Sequence, residues 1–361
     1  MTKDRERPPL RRGWTTGSCA TAAAKSAWSW LQTGQFPDPV TITLPNQRQV
    51  SFALDGCGQM GESAWARIIK DAGDDPDVTH GALITASVAR GAAGQGVTFK
   101  AGEGVGVITR PGLPLPPGAP AINPVPRRMI TQALMEITPQ GADAIVTISI
   151  ENGEALARQT LNPRLGIVGG LSILGTTGIV VPFSCSAWID TIHRGIDVAR
   201  ASGLTHIAGS TGNTSEACVK AFYDLPDAAL IEMGDFVGGM LKYLRQHPVP
   251  HLTIAGGIAK MAKLAQGHLD LHSSRTLADP GSLAIMAEKL GVTSEIREGM
   301  RRANTVLEAF QRANHPALGD LIAAEAASVT RACLAPSDIE VDVIVTDREG
   351  RIVGRTTPRP A

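Results

Sequence analysis

Residues 1–160 combine helical periodicity with short β-type runs. Alanines recur every three or four positions between Ala20 and Leu31, which predicts a helix with a face of small residues that ends at Gly34. Alternating apolar and polar positions predict strands at 40–44, 50–54, 64–70, 83–89, 105–109 and 144–150. A second helix is predicted at 127–136. This order predicts an α+β N-terminal domain in which an antiparallel sheet packs on helices.

From about Leu161 the pattern changes to strands that alternate with helices. Strands are predicted at 204–208, 228–232 and 251–255, and helices at 187–201, 214–223, 235–246, 258–266, 283–290 and 305–313. This alternation predicts an α/β C-terminal domain with a mostly parallel sheet. A last hairpin at 341–353 has no assigned partner strand. Because one hydrophobic core rarely serves 361 residues, we expect two domains, residues 1–160 and residues 161–361.

Composition narrows the class of protein. Lys plus Arg and Asp plus Glu both number 34, so the net charge is zero, which argues against a nucleic-acid partner held by bulk electrostatics. No apolar run approaches the roughly 18 residues of a membrane span, and the charged N-terminus lacks the apolar run of a signal peptide. The five cysteines are scattered and odd in number, as expected for free thiols in a reducing compartment. We therefore expect a cytoplasmic protein with no membrane partner, and a homo-oligomer remains open.

Three glycine-bearing loops follow predicted strands or lie in similar positions. Open α/β sheets bind ligands at the carboxyl ends of strands, where glycine lets the backbone approach and a following helix offers free N–H groups. The alternative is ordinary turn chemistry at each loop. Thr176 stands where a phosphate-binding loop carries lysine, and no dinucleotide-binding spacing follows a predicted strand. The candidate ligand-binding residues are Gly175, Thr176, Thr177, Gly178, Gly209, Gly212, Asn213, Gly256 and Gly257.

An acidic loop carries Asp71, Asp74, Asp75 and Asp77, with His80 directly after them. Its twelfth position is alanine instead of the bidentate glutamate of a calcium loop. Crowded carboxylates raise one another's pKa, which suits acid–base catalysis. The alternative is a solvated turn built by Asp, Gly and Pro. We favour the functional interpretation, with Asp75, Asp77 and His80 as candidate catalytic residues.

A second polar segment places His268, Asp270 and His272 at every second position. On an extended segment these side chains share one face, which is one way to hold iron or zinc. We favour the alternative, in which they are hydrogen-bonded loop residues, and we expect no metal. Contact with a bound ligand fits either alternative.

Arg127 and Arg128 fall at a predicted helix start, where the helix dipole disfavours positive charge. This placement predicts that an anion binds there. Lys25 and Arg275 are further cations close to the motifs. Cys19 is expected to be a small packing residue and not a reactive thiol.

Six of these segments resemble, in the same order, the motifs of the CbiD family of cobalt-precorrin-5B C(1)-methyltransferases of cobalamin biosynthesis. The matching segments are 12–20, 70–79, 102–106, 121–127, 175–180 and 267–273. The chain departs from the family pattern at Ser18, where threonine is common, and at Val181 and Cys185, where acidic or polar residues are frequent. We therefore assign no essential acid after the glycine-threonine loop.

The resemblance implies that a methyl group passes from S-adenosylmethionine to C-1 of a cobalt-precorrin tetrapyrrole. The electron-rich ring carbon needs little activation, so positioning is expected to supply much of the rate. The acidic loop then offers a base for the proton that leaves. The glycine loops are the candidates for the cofactor. The candidate substrate-binding residues are Thr15, Thr16, Lys25, Glu103, Asn123, Arg127, Arg128, His268, Asp270, His272, Ser273 and Arg275.

Two other functions remain as alternatives. One is a tetrapyrrole-binding carrier or scaffold without catalysis, which has no use for S-adenosylmethionine. The other is a metal-dependent hydrolase that uses His268, Asp270 and His272, which predicts bound metal in the purified protein.

Overall fold

A computed structural model describes residues 9–356, and its contacts divide the chain into two compact units. The first unit ends at Ser184 and the second begins at Cys185. A boundary after residue 160 is predicted from the sequence, whereas residues 161–184 pack in the first unit because two short strands there pair with earlier ones. The assignment of two independent domains stays a prediction.

Within residues 9–184, the first unit contains eleven short strands and three helices. The strands are β1 (Gly13–Trp14), β2 (Val40–Thr43), β3 (Gln49–Phe52), β4 (Gly56–Met60), β5 (Ser63–Ile69), β6 (Leu83–Arg90), β7 (Val97–Ala101), β8 (Val107–Ile108), β9 (Ala144–Ile150), β10 (Ile167–Val168) and β11 (Ile179–Val180). The helices are α1 (Thr16–Thr33), α2 (Pro124–Met135) and α3 (Gly153–Ala157). A five-stranded sheet has the order β4-β5-β6-β9-β7 and is antiparallel except between β7 and β9. The predicted antiparallel sheet is confirmed.

Helix α1 lies against β5, β6 and α2 through its small residues. Cys19, Ala20, Ala23 and Ala27 are all fully buried, so the helix backbone can approach the sheet closely. The side chain of Thr15 accepts a hydrogen bond from the Ser18 N–H and caps the start of the helix. The predicted helix is confirmed. Because the helix is packed in this way, its N-terminus has a fixed position beside the loop of residues 174–178.

The described part of the second unit, residues 185–356, contains eight α-helices and five strands. The helices are α4 (Cys185–Ala201), α5 (Asn213–Tyr223), α6 (Val237–Leu244), α7 (Ile258–Ala265), α8 (Pro280–Glu288), α9 (Ser294–Arg301), α10 (Val306–Ala313) and α11 (Leu318–Leu334). The strands are β12 (His206–Ser210), β13 (Leu230–Glu232), β14 (His251–Gly257), β15 (Glu340–Thr346) and β16 (Ile352–Arg355). The sheet order is β13-β12-β14-β15-β16, with parallel pairing throughout except for β16. The predicted parallel sheet is confirmed.

Strand β15 supplies the partner that the sequence left unassigned, because it pairs with β14. Side chains alternate between the two faces of the central strand. Leu252 and Ile254 belong to the larger core, which includes residues of α6, α7 and α11, whereas Ala255 packs with Val219 of α5. Helix α5 therefore covers one face of the sheet. No helix within residues 9–356 combines the length and the apolar character needed to cross a membrane.

Candidate functional site

The acidic loop of the first unit is fastened to the chain before α1. The Arg11 guanidinium pairs with both oxygens of Asp71, and the Arg11 N–H donates to Asp74 Oδ2 at 2.6 Å. The hydrogen bond from Arg11, followed by that from the Gly73 N–H, lowers the pKa of Asp71 to about 2. Gly73 has φ +70°, and a Cβ there would lie 2.2 Å from the Arg11 carbonyl oxygen. The loop is therefore a turn that is held in place by its contacts with Arg11, and its Asp71 side chain is ionised at neutral pH.

Asp77 is bound to a buried lysine. Lys70 Nζ lies 2.6 Å from Asp77 Oδ2, and the Lys70 side chain is only 1% exposed. The Thr79 N–H and hydroxyl donate to Asp77 Oδ1 at 2.8 and 2.6 Å. Burial raises the pKa of Asp77, but the Lys70 charge and the hydrogen bonds outweigh it, so the pKa is lowered overall. The carboxylate of Asp77 is therefore fully engaged as an ion-pair partner.

Asp75 and His80 have fewer partners. Asp75 Oδ1 accepts the Phe183 N–H at 2.8 Å, and its second oxygen has no hydrogen-bond partner among residues 9–356. The Ala72 N–H donates to His80 Nδ1 at 3.1 Å. This hydrogen bond occupies the lone pair of Nδ1, the accepting nitrogen of the His80 ring. Of the three predicted catalytic residues, Asp75 has the free acceptor atom.

The loop that contains Gly175, Thr176, Thr177 and Gly178 packs on the start of α1. The Thr15 N–H donates to the Gly178 carbonyl at 3.1 Å. The Ser18 hydroxyl donates to the same oxygen at 2.7 Å. A Cβ on Gly175 would lie 2.3 Å from Thr15 Oγ1, so this glycine is needed for packing. The Thr177 hydroxyl bonds within its own loop, whereas that of exposed Thr176 has no partner in the described part of the chain.

The other two glycine loops are neighbours at the carboxyl ends of β12 and β14. Ser210 pairs in register with Ala255, and the Thr211 N–H donates to the Ala255 carbonyl at 3.0 Å. Helices α5 and α7 begin directly after Gly212 and Gly257, and neither start has a side-chain cap. The structure thus brings together two of the three predicted loops, while the third lies in the first unit.

The four glycines of these two loops differ in what a side chain would meet. A Cβ on Gly209 would lie 2.5 Å from Met240 Cε, and one on Gly256 would lie 2.8 Å from Thr211 Oγ1. A Cβ on Gly212 would meet nothing within 4 Å, and one on Gly257 would have a single neighbour at 4.0 Å. Packing therefore explains Gly209 and Gly256, whereas Gly212 and Gly257 border open space.

Polar groups beside the same strand ends lack internal partners. The Ser210 hydroxyl oxygen is buried and has no hydrogen-bond partner within the described residues. The exposed Asn213 side chain likewise makes no hydrogen bond within 9–356. With the uncapped starts of α5 and α7, this edge of the sheet offers unused donors to a small ligand.

His268, Asp270 and His272, which the sequence offered as a less favoured metal constellation, do not converge in the structure. Asp270 pairs with Arg275 at 2.8 Å and accepts the His272 N–H at 3.0 Å, while His272 Nδ1 lies 2.7 Å from Ser274 Oγ. Burial opposes ionisation of Asp270, but the Arg275 bond prevails and its pKa is lowered. These contacts describe a hydrogen-bonded loop, in which Ser273 is exposed.

The predicted cations of the first unit are mostly occupied. Arg127 donates to the Ile122 and Pro120 carbonyl oxygens at 2.7 and 3.0 Å and lies over the Phe99 ring. Burial lowers the pKa of Arg127. Arg128 is exposed and has no partner in the described part of the protein.

The remaining candidates are scattered over the first unit. Lys25 Nζ contacts Glu136 Oε2 at 2.5 Å and the Thr41 carbonyl at 2.7 Å. Glu103 is exposed, and Asn123 precedes α2 without capping it through its side chain. Thr16 is buried at the start of α1.

Sequence reasoning missed a cluster at the amino ends of the parallel strands. His206, His251 and Asp342 place one ligating atom each within 4.8 Å of one another, and no other such trio of His, Cys, Asp or Glu occurs in residues 9–356. Burial, followed by the charge of His251, lowers the pKa of His206 to about 4, whereas the Asp342 hydrogen bond raises the pKa of His251. Each of the two histidines is the first residue of a strand. This shared position was the one feature that pointed to their being neighbours.

Known proteins resemble the chain over nearly its whole length. The family model described as CbiD matches residues 3–182, and the model described as CbiD, C-terminal domain, matches residues 270–357. A protein named cobalt-precorrin-5B C(1)-methyltransferase from Agrobacterium fabrum (strain C58) is 58% identical over 355 residues, covering 98% of this chain and 94% of that protein. A protein of the same name from Bradyrhizobium sp. (strain BTAi1) is 59% identical over 360 residues, covering 98% and 96%. The 1.9 Å crystal structure of the cobalamin biosynthesis protein CbiD from Archaeoglobus fulgidus is 25% identical and covers 74% of this chain and 83% of that chain, with a TM-score of 0.39.

Proposed function

The chain belongs to the CbiD family, and on that premise we infer that it is a cobalt-precorrin-5B C(1)-methyltransferase. This function is supported by sequence identities of 58% and 59% to two proteins of that name. Each alignment covers almost the full length of this chain and of the relative. The substrate is accordingly a cobalt-precorrin tetrapyrrole, and the reaction adds one methyl group to a ring carbon.

We propose S-adenosylmethionine as the methyl donor. When bound, it supplies an electrophilic methyl group on a positively charged sulfur. The carboxyl edge of the sheet in the second unit fits this molecule, because Gly212 and Gly257 border open space before two uncapped helix starts. The N–H groups at a helix start are suited to the carboxylate of the amino-acid end. The Asn213 side chain is a further candidate for hydrogen bonding there.

The loop from Gly175 to Gly178 is a weaker candidate for the cofactor. Its glycines are explained by packing on Thr15 and Ser18, which leaves Thr176 as its one side chain without an internal partner among the described residues. We therefore propose that Thr176 contacts substrate or cofactor, and that Gly175 and Gly178 act only by shaping the loop.

Asp75 is our proposed proton acceptor. Methylation of a ring carbon leaves a proton to be removed or redistributed, and a positioned carboxylate with a free oxygen can accept it. Asp77 is less suited to this role because Lys70 and Thr79 occupy its oxygens. His80 is less suited because its Nδ1 already accepts a hydrogen bond. We propose that Asp77 positions the loop.

The carboxylate arms of the substrate require cations or polar donors. Arg128 is the best candidate among the predicted arginines, because Arg127 is committed to carbonyl oxygens and Arg275 to Asp270. Lys25 is paired with Glu136, so we propose an indirect role for it. We retain the other predicted contacts as proposals. They are Thr15, Thr16, Glu103, Asn123, His268, Asp270, His272 and Ser273.

We also propose a cytoplasmic location and no nucleic-acid partner. The five cysteines are free, which suits a reducing compartment. The zero net charge gives no bulk attraction for a polyanion of nucleic-acid size.

The test is a reaction of the purified full-length protein with precorrin-5B, with and without inserted cobalt, in the presence of S-adenosylmethionine. Mass spectrometry should find a product that has gained one methyl group, and a labelled donor should transfer its label to C-1. A protein that binds the tetrapyrrole but neither binds S-adenosylmethionine nor changes the mass of the tetrapyrrole would be a carrier, and the proposed function would be wrong.

A further inference from the structure

Two histidines and an aspartate from distant parts of the chain meet at the amino ends of the parallel strands in the second unit. His206 begins β12, His251 begins β14, and Asp342 lies near the start of β15. The register pairs His206 with His251 and Thr253 with Asp342. Since alternate residues of a strand share a face, parallel pairing brings these four side chains onto one side of the sheet.

The side chains of this cluster contact one another directly. His206 Nε2 lies 2.8 Å from Thr253 Oγ1, and His251 Nε2 bonds Asp342 Oδ1. The Tyr223 hydroxyl, at the end of α5, donates to Asp342 Oδ2 at 2.7 Å. The two imidazole rings are stacked with centroids 3.8 Å apart. The ligating atoms of the two histidines and the aspartate all lie within 4.8 Å of one another.

We propose that His206, His251 and Asp342 form a binding site for a first-row divalent transition metal, with Zn²⁺ as the expected ion. Two imidazole nitrogens and one carboxylate oxygen are a donor set that suits such ions. All three residues sit on hydrogen-bonded neighbouring strands, so their backbones are held in place. Tyr223 orients the carboxylate through its second oxygen, as an outer-shell partner does in metal sites.

The side chains must adjust to bind the ion. Two ligands of a tetrahedral Zn²⁺ lie roughly 3.3 Å apart, given metal–ligand distances of about 2 Å, so a pair at the 4.8 Å limit must close by about 1.5 Å. The stacked rings must also tilt, because a metal lies close to the plane of each imidazole that binds it. Both changes are side-chain rotations. The His251 side chain is 25% exposed, which leaves an entry path for the ion.

The position of the cluster indicates a structural role for the metal. Open α/β sheets bind substrates at the carboxyl ends of their strands, whereas this cluster lies at the amino ends. An ion there would join β12, β14 and β15, with the end of α5 attached through Tyr223. Metal binding at this cluster is independent of methyl transfer, so it is measured through affinity, absorption and thermal stability instead of activity.

The test is metal binding by the full-length protein after treatment with a chelator and dialysis. Calorimetric titration with ZnCl₂ should give one bound ion per chain, and CoCl₂ should produce the visible absorption of a low-coordinate cobalt–imidazole site. His206→Gln and Asp342→Asn should each weaken Zn²⁺ binding at least about tenfold and remove the cobalt bands. Added Zn²⁺ should raise the thermal midpoint of the wild type and not that of His206→Gln.

His247→Gln is the matched control. His247 lies in the same unit and stacks on Tyr243 at 4.0 Å, so its loss removes a stacked histidine without touching the cluster. Its Zn²⁺ affinity should equal that of the wild type. If Asp342→Asn does not fold, His206→Gln decides alone. The inference is overturned if the wild type takes up neither ion, if His206→Gln binds Zn²⁺ normally, or if His272→Gln instead abolishes binding.

Discussion

Asp75 is the carboxylate of the acidic loop that retains an oxygen without a hydrogen-bond partner in the described chain. Because a general base contributes about 100- to 10,000-fold, Asp75→Asn should lower kcat by that range with little change in substrate affinity. Asparagine keeps the size and the oxygen that accepts the Phe183 N–H, so the loop should stay folded. Single-turnover kinetics with labelled S-adenosylmethionine measures the effect.

Asp74→Asn is the matched control for this change, since it removes the same charge from the same loop. Among the described residues, the Asp74 carboxylate accepts only the Arg11 backbone N–H, and this bond survives in the amide. Its kcat should equal that of the wild type. A normal kcat in Asp75→Asn would remove Asp75 from the reaction and leave the proton to solvent or to the substrate itself.

Lys70 and Asp77 form the most deeply buried ion pair of the loop. Lys70→Met should destabilise the protein by about 3–5 kcal/mol at pH 7, because a partly buried carboxylate loses its cation. Combining it with Asp77→Asn should recover part of this loss, since the unpaired charge is then gone. Urea unfolding followed by tryptophan fluorescence measures it, because four of the five tryptophans lie in the first unit.

The pH dependence of this pair follows from the lowered pKa of Asp77. A carboxyl group whose folded pKa lies below its unfolded value of about 3.9 contributes stability above that pH and loses it as the pH falls through the folded pKa. The difference in unfolding free energy between wild type and Lys70→Met should therefore shrink below about pH 4. A difference that stays constant into the acid range would show that packing of the lysine stem, and not its charge, stabilises the loop.

At the scale of elements, the starts of α5 and α7 are the parts of the second unit best placed to bind the cofactor. Gly212 has an extended backbone that any residue adopts, and its Cβ position is open. Gly212→Val should therefore fold normally, yet weaken S-adenosylmethionine binding at least about tenfold, or about 1.4 kcal/mol, by filling the space the ligand needs. Calorimetry measures the affinity.

Gly299→Val controls for the substitution itself. In α9 the added Cβ would meet only Arg312 Nη1 at 3.5 Å, which is an ordinary contact. Its cofactor affinity should be unchanged. Gly256→Val is a poorer test than Gly212→Val, because the new side chain would collide with Thr211 and Met261. Normal cofactor binding by a folded Gly212→Val variant would move the proposed site away from this edge.

The elements that the sequence predicts well are those with a clear burial pattern. Alternation predicts a strand at 144–150, and β9 spans Ala144–Ile150 with every second residue buried. Strand β7 (Val97–Ala101) was missed because it lies at the sheet edge and buries none of its residues fully. Helix α11 (Leu318–Leu334) was missed because half of its eight buried residues are glycine or alanine, which carry little hydrophobic signal. Edge position and small side chains both hide periodicity.

At the scale of the whole molecule, the sequence predicts sites made of neighbouring residues better than sites made by strand pairing. The acidic loop is a run of neighbouring residues that the sequence predicts, whereas its contacts with Arg11 join residues about 60 positions apart and appear only in the structure. The cluster of His206, His251 and Asp342 depends on β15 lying beside β14, which no local pattern encodes. His268, Asp270 and His272 show the converse, because regular spacing does not ensure that side chains converge.

A methyl transfer driven by positioning needs no covalent nucleophile, and Cys19 provides the sharpest test of that view. Burial raises the pKa of the Cys19 thiol to about 12, so the nucleophilic thiolate is scarce at neutral pH. Cys19→Ala should therefore retain the wild-type kcat, although the small cavity it leaves should lower the thermal midpoint. The exposed Cys57→Ala variant should match the wild type in both. If folded Cys19→Ala bound both substrates and transferred no methyl group, a methylated cysteine would have to lie on the pathway. Retained turnover in both variants would leave geometry, with the electron-rich ring carbon as the nucleophile, as the source of the rate.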